Sequence, residues 1–219
     1  MKMTYDYLPG TQIYLHQRKD MFRMNTDTAL LGNFMKVKED ETVLDIGTNN
    51  GALLLYASQY TKAKLIGIDI QQEACNLATQ NLKDQSIEDF EVICSDIADV
   101  QIEPVDVIVC NPPYFRVNNN QQLNENEYKR IARHECYLTM DVLCKSVNRL
   151  LKEKGRFYLV HRADRLVDLC VELRNAELEI KTIQMIRDCE NEDAHGILIE
   201  AVKQGKPHCI VKSEHIVKR

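Results

Sequence analysis

No apolar run in the 219-residue sequence approaches the roughly 18 consecutive apolar residues of a membrane span. The N-terminus, MKMTYDYLPGTQIYLHQ, has no apolar core, which excludes a secretory signal there and leaves a cytoplasmic protein with no membrane role as the expectation. Close cysteine pairs are also missing. The eight cysteines fall at 75, 94, 110, 136, 144, 170, 189 and 209, none spaced C-x-x-C. Zinc sites draw on close ligand pairs and disulfides need an oxidising compartment, so no metal is expected. Most of the cysteines sit beside Val, Ile or Leu and are expected to be buried reduced thiols. Nor is there an excess of positive charge: Lys and Arg number 28 against 33 Asp and Glu, a net −5 that excludes an indiscriminate nucleic-acid binder. What is present, 44% hydrophobic and 28% charged residues, describes an ordinary globular chain. Its length suits one domain, and about 70% of the unfolded surface can be buried at this size without covalent staples.

The charge is unevenly laid out. Residues 39–110 carry 3 basic against 14 acidic side chains, whereas 1–38 carry 6 against 3 and 129–174 carry 11 against 6. An acidic block flanked by basic ones suits a protein that holds something cationic beside something polyanionic, although solvated helix faces would give the same tally.

Strand-like and helix-like segments alternate along the chain. TVLDI (42–46) is a short β-branched apolar run ending at a Gly/Asn-rich turn, followed by a helix from Ala52 to Tyr60 and a strand KLIGIDI (64–70). Residues 71–83 place Ala74, Leu77, Ala78 and Leu82 at helical spacing. Strands FEVIC (90–94) and VDVIVC (105–110) come next, then a polar tract at 117–127, a helix from about Met140 to Lys152, a strand GRFYLV (155–160) and a helix over 163–175. Strands at 178–187 and 196–203 and a short one near 208–212 close the chain. The pattern predicts an α/β protein with a mostly parallel sheet and helices on both faces, its last strands pairing antiparallel at one edge. Residues 1–38 read as an N-terminal extension packing on a site in a main domain of 39–219, with a helix starting near Thr26 and Asp27.

Two constellations carry chemistry. Asp45-Ile-Gly47-Thr-Asn-Asn-Gly51 lies at the carboxyl end of the first strand of the alternating pattern and opens a helix, the place where open α/β sheets bind ligands. Gly47 and Gly51 permit a tight turn, and Asn49 is one of the few residues that tolerate positive φ. Asp69 ends the next strand, placed to accept bonds from ribose hydroxyls, and Asp96 follows the third, within reach of an adenine amino group. A nicotinamide cofactor would want G-x-G-x-x-G; here the spacing is D-x-G-x-x-x-G, and Asp45 would serve a pyrophosphate poorly but a sulfonium and amino-acid group well. The second constellation, Asn111-Pro112-Pro113-Tyr114, ends the fourth strand on the same edge. An amino group conjugated to a ring is a poor nucleophile. The Asn111 side-chain oxygen and the Pro112 carbonyl can accept its two hydrogens, aim its nitrogen and stabilise the charge it develops, while Tyr114 offers a face for stacking a base.

The first pattern resembles motif I of the class I S-adenosylmethionine-dependent methyltransferases, with Asp69-Ile70 and Asp96-Ile97 matching their next two acidic motifs. The tetrad resembles motif IV of amino methyltransferases acting on adenine N6 or on protein glutamine. The segment Phe22-Arg-Met-Asn-Thr26-Asp27-Thr-Ala-Leu-Leu31-Gly32, together with Ala132-Arg133-His134-Glu135 and Leu150 to Phe157, is similar to the tRNA1(Val) (adenine(37)-N6)-methyltransferase family. That likeness implies a Rossmann-like fold with a seven-stranded sheet, S-adenosyl-L-methionine as cofactor, and methylation of an adenine N6 in tRNA, with adenine 37 of a valine tRNA the first candidate. By position it implies Asp45, Gly47, Asn49, Gly51, Asp69, Ile70, Asp96, Ile97 and Asn111 at the cofactor, Thr26 and Asp27 closing over its amino-acid end, and Asn111, Pro112 and Tyr114 at the base. Asn49 stands where the family pattern has glycine, which puts cofactor affinity in question. Arg116, Lys129, Arg130 and Arg133 form a candidate phosphate-contact set. A monomer is the default. The competing readings are a protein glutamine N5-methyltransferase, against which the short N-terminal segment argues, and a tRNA-binding protein whose cofactor site has lapsed.

Overall fold

The computed structural model describes residues 3–112 and 138–217 of the chain. An N-terminal antiparallel hairpin, β1 (Met3–Tyr7) and β2 (Tyr14–Arg18), leads to α1 (Thr26–Phe34). The alternating part follows: β3 (Val43–Ile46), α2 (Ala52–Ala57), β4 (Leu65–Asp69), α3 (Gln72–Asp84), β5 (Phe90–Cys94) and β6 (Val105–Cys110). After the undescribed stretch come α4 (Met140–Leu150), β7 (Leu151–Arg162), a 3-10 turn at Ala163–Arg165, α5 (Leu166–Asn175), β8 (Leu178–Arg187), β9 (Gly196–Lys203), β10 (Ile210–Val211) and β11 (His215–Ile216).

The main sheet runs β10-β8-β9-β7-β6-β3-β4-β5, with β11 also on β8. β3 pairs parallel with β4 on one side and β6 on the other. The chain therefore builds outward from β3 to β5, then returns to lay β6 against β3's free side. The carboxyl ends of β3 and β6 flank the point where strand order reverses, and in an open α/β sheet the crevice outside that point is where ligands sit.

Parallel strands covered on both faces must be apolar on both, and β3 and β4 are buried at every residue. Alternation then sorts the side chains. Leu44, Ile46, Ile68, Ile108 and Cys110 enter the core beneath α4 and α5 with Leu143, Val147, Leu169 and Leu173. Val43, Leu65, Val107 and Val109 enter the opposite core, shared with Leu31 and Phe34 of α1, Leu54 of α2, and Leu8 and Leu15 of the hairpin segment. By the same period of two, Asp45 and Asp69 point to this second side, toward α1, α2 and the hairpin.

α1 begins at Asn25, whose side chain accepts the Thr28 backbone N–H at 3.0 Å. It packs against α2 through Gly32. A Cβ there would lie 2.3 Å from the Tyr56 ring, which is 1% exposed and is held by its hydroxyl donating to the Pro9 carbonyl at 2.7 Å. Gly32→Ala is therefore expected to lower the urea midpoint at unchanged slope, with a loss of about 3 kcal/mol from overpacking.

Several expectations change against this structure. Residues 3–18 form a hairpin that the sequence reading left as unassigned extension; its outward face is Met3, Tyr5, Tyr7 and Tyr14, so the alternation lacks the apolar inner row that marks a buried strand. Its burial comes instead from Leu8 at the turn and Leu15. The expected seven-stranded sheet grows to nine among the described residues: β10, inside the short strand expected near 208–212, and β11, too short to leave a pattern, both pair parallel with β8, outside the antiparallel β7-β9-β8 set. Strand β7 starts at Leu151 rather than 155, directly after α4, with an irregular register opposite Val105 and Val107. The cysteines also divide: Cys75, Cys110 and Cys144 are buried, Cys170 is half-buried, and Cys94, Cys189 and Cys209 are exposed, all as free thiols. Adjacent Val, Ile or Leu marks a strand or helix, but a residue ending an edge strand, as Cys94 does in β5, still faces solvent.

Candidate active site

The loop after β3 turns back on itself through three left-handed positions, Gly47 (φ 73°), Asn49 (φ 48°) and Gly51 (φ 78°). The Gly47 and Thr48 N–H groups donate to the Ile68 carbonyl at 2.8 and 2.9 Å, pinning the loop to the end of β4. A Cβ on Gly47 would meet nothing within 4 Å, so the backbone there faces open space. That space is a cavity of about 630 Å³, within the range of small-molecule sites. Asp45, Gly47, Asn49, Asp69, Ile70, Asp96, Ile97 and Asn111 all line it. Sequence positions up to 66 residues apart are brought together because β3, β4, β5 and β6 end on one edge.

Asp45 is 1% exposed. Its Oδ2 accepts the Thr48 hydroxyl at 2.8 Å, while its Oδ1 has no hydrogen-bond partner among the described residues. Burial pushes its pKa up to about 7; the Thr48 bond opposes this, and the nearby Asp69 charge adds to it. A buried carboxylate oxygen left unsatisfied beside a cavity is costly unless a cation or donor completes it. Asp69, at the end of β4, is held rigidly: its Oδ2 accepts the Asn49 N–H at 3.0 Å and its Oδ1 the Gln71 N–H at 2.9 Å. Asp96 follows β5, where its Oδ1 accepts the Ala98 N–H at 2.9 Å and shapes the turn.

Asn111 directly follows β6. Since Cys110 pairs with Ile46, Asn111 stands level with Gly47 across the switch point. Its Nδ2 donates to Thr28 Oγ1 at 3.0 Å. Pro112 is buried behind it and does not line the cavity. Gly51 also lies back from the cavity wall, starting α2. Thr26 is exposed and Asp27 half-buried, and neither lines the cavity; the wall residue contributed by α1 is Thr28, one position further on. Tyr114, Arg116, Lys129, Arg130 and Arg133 lie outside the described residues, as does His134.

The wall opposite the strands is the segment 19–24, which runs from the hairpin to α1 and which sequence reasoning did not single out as a cavity wall. It is held in place by three ties. Asn49 Nδ2 donates to the Phe22 carbonyl at 2.6 Å, so the residue standing where glycine is usual combines a tolerated left-handed backbone with a bond to the strap. Gln17, 2% exposed, accepts the Met24 N–H at 2.7 Å and the Asn50 Nδ2 at 3.1 Å on one oxygen, and donates to Asp6 at 2.6 Å. Arg23 reaches Asp6 at 2.9 Å. In the sequence this segment shows only as the start of the family-like stretch Phe22–Gly32, with nothing that marks it as a wall. Gln17→Leu removes the hub and is expected to weaken ligand binding in the cavity about tenfold by calorimetry, because the unsatisfied Met24 N–H and Asn50 amide loosen the strap.

A family model described as a methyltransferase domain matches residues 37–210. The tRNA1(Val) (adenine(37)-N6)-methyltransferase of Phocaeicola vulgatus is 32% identical over 160 residues, covering 72% of this chain and 67% of that protein. The protein of the same name from Shewanella halifaxensis is 33% identical over 142 residues, which span 63% of this chain and 56% of that one. Among solved structures, a predicted O-methyltransferase from Agrobacterium tumefaciens superposes with a TM-score of 0.68 at 16% identity over 87% of both chains. The 16S rRNA N2 G1207 methyltransferase of T. Thermophilus, solved with AdoMet and guanosine, superposes with a TM-score of 0.63 at 18% identity over 92% of this chain and 50% of that one. At such identities these two speak for the fold. The switch-point cavity, its acidic wall and the matched domain converge: the chain belongs to the class I S-adenosylmethionine-dependent methyltransferases, in the tRNA1(Val) (adenine(37)-N6)-methyltransferase family.

Proposed function

We propose that the protein transfers a methyl group from S-adenosyl-L-methionine to the exocyclic N6 amine of an adenine in tRNA, with the anticodon-loop adenine 37 of a valine tRNA as the site. The observation that carries this reading is the pairing of Asn111 with the acidic cavity: a side-chain amide stands level with Gly47 at the rim of a pocket whose deepest carboxylate, Asp45, lacks a partner among the described residues.

The residues fit the cofactor. The Asp45 Oδ1 would be completed by an ammonium, the open space before Gly47 would admit a ligand against bare backbone, Asp69 at the end of β4 would suit ribose hydroxyls, and Asp96 with Ile97 would suit an adenine ring and its amine. When bound, S-adenosyl-L-methionine supplies an electrophilic methyl carried on a positively charged sulfur. The protein's own work is to place the nucleophile. The Asn111 Oδ1 and the Pro112 carbonyl accept the two hydrogens of the adenine amine, which directs the nitrogen lone pair along the transfer axis and offsets the positive charge it gains. The extra proton on the methylated nitrogen would pass to water, so no general base is needed beforehand. Tyr114 would stack the base, and Arg116, Lys129, Arg130 and Arg133 would contact phosphates. The N-terminal segment 1–38 would act as the cofactor site's outer wall rather than as a separate module. A tRNA substrate fits a cytoplasmic protein, and among the described residues no helix is long and apolar enough to cross a membrane.

Incubation with labelled S-adenosyl-L-methionine and bulk unmodified tRNA, followed by nucleoside mass spectrometry, tests the reading. N6-methyladenosine is expected. Label in a protein fraction instead would mean glutamine N5 transfer, and cofactor binding without any transfer would mean a lapsed enzyme.

A further inference from the structure

We propose that Thr28 is a positioning residue that dictates which end of the Asn111 amide faces the substrate, through a one-way series of hydrogen bonds beginning at the N-terminus of α1. The proposal rests on the reading of Asn111 as an acceptor for the adenine amine.

The polarity of the series is forced link by link. A backbone N–H can only donate, and that of Thr28 donates to Asn25 Oδ1 at 3.0 Å, which fixes the Asn25 oxygen toward α1. The Thr28 hydroxyl has one hydrogen, and it goes to the same oxygen at 3.0 Å. With its proton committed, Thr28 Oγ1 can only accept, so it selects the nitrogen end of the Asn111 amide, found 3.0 Å away. The opposite end, Oδ1, is then left as the acceptor.

The selection matters because the two ends of an amide are nearly identical in shape and opposite in function. An Asn111 turned over would present two N–H groups to the two N–H groups of the amine, a repulsive contact that cannot stabilise developing positive charge. Thr28 is 6% exposed and lines the cavity, so bulk water does not compete for these bonds. Thr28 thereby links the start of α1 to the end of β6 across 83 sequence positions.

Thr28→Val isolates the effect. Valine has nearly the shape of threonine, and the Asn25 side chain still accepts the backbone N–H of residue 28, so the start of α1 is kept. It is expected to lower kcat about 30-fold, in the range attached to small misplacements of a reacting pair, with the melting temperature, the KM for tRNA and the Kd for S-adenosyl-L-methionine near wild type. Thr28→Ser keeps the hydroxyl and is expected to retain kcat within about threefold. In an Asn111→Ala background, adding Thr28→Val is expected to cost nothing further, since the group being positioned is already gone. Wild-type kcat in Thr28→Val overturns the proposal, as does a loss that adds fully to that of Asn111→Ala, or an equal loss in Thr28→Ser. A wild-type enzyme that leaves tRNA unmethylated overturns the adenine reading itself, and the proposal with it; that failure is visible before any variant is compared.

Discussion

Asn111→Ala is expected to reduce single-turnover methyl transfer to tRNA by about 10³-fold while S-adenosyl-L-methionine binds within about threefold of wild type. The expected ratio follows from what the amide does. Adenine N6 is weakly nucleophilic because its lone pair is drawn into the ring, and the transition state gathers positive charge on that nitrogen. An acceptor held in advance, in a site from which water is excluded, interacts more strongly with the transition state than with the neutral amine. Loss of one such fixed group typically costs about 10²–10³ in rate. Alanine also leaves the Pro112 carbonyl to orient the amine alone, so one hydrogen goes unpaired and the lone pair wanders from the transfer axis. The cavity-lining carboxylates Asp45, Asp69 and Asp96 stand at other strand ends and are untouched, so binding is expected to persist. Rapid-quench transfer and calorimetry on the same preparation check both halves. A variant that transfers at the wild-type rate would place the acceptor elsewhere.

Asp45→Asn is expected to abolish cofactor binding and, at the same time, to stabilise the protein without ligand. Burial holds the Asp45 carboxyl at about 7 against an ordinary 3.8. Between those values the folded protein keeps a proton that the unfolded chain has released, so Asp45 makes stability fall as pH rises through the window, and the full cost stands above pH 7. Roughly three pKa units correspond to about 4 kcal/mol. The buried asparagine amide takes back about 2 kcal/mol through its unpaired hydrogens. A net gain of about 2 kcal/mol above pH 7, turning into a net loss of about 2 kcal/mol near pH 4, is thus expected from urea titrations of the unliganded variant. The wild type should bind S-adenosyl-L-methionine about tenfold more weakly for each pH unit below 7, since Asp45 must ionise to meet an ammonium.

The sheet and the strand-end carboxylates were legible because both follow from short-range rules. A buried parallel strand is an apolar run, as in VLDI and LIGID, and a tight turn at its end needs residues that accept positive φ, as Gly47, Asn49 and Gly51 do. What stayed hidden was whatever depends on the chain returning to the site. Nothing local marks residues 19–24 as a cavity wall; their placement depends on Gln17 and Asn49 reaching them from elsewhere. Thr28 was passed over for its neighbours Thr26 and Asp27 because a helix start reads the same for three successive polar residues, and only the rotation of α1 on the sheet decides which turns inward. Strand β11 is two residues long, below the length at which alternation can be seen, whereas β10 falls inside the short strand expected near 208–212.

The measurement that bears most directly on the proposed activity compares two transcripts of the same valine tRNA, one with adenosine at position 37 and one with guanosine there, incubated with the enzyme and labelled S-adenosyl-L-methionine. One N6-methyladenosine per molecule in the adenosine-37 transcript, with none in the other and formation about 10³-fold slower when Asn111→Ala replaces the wild type, is the expected result. Equal methylation of both transcripts, or label only in protein glutamine, would contradict it.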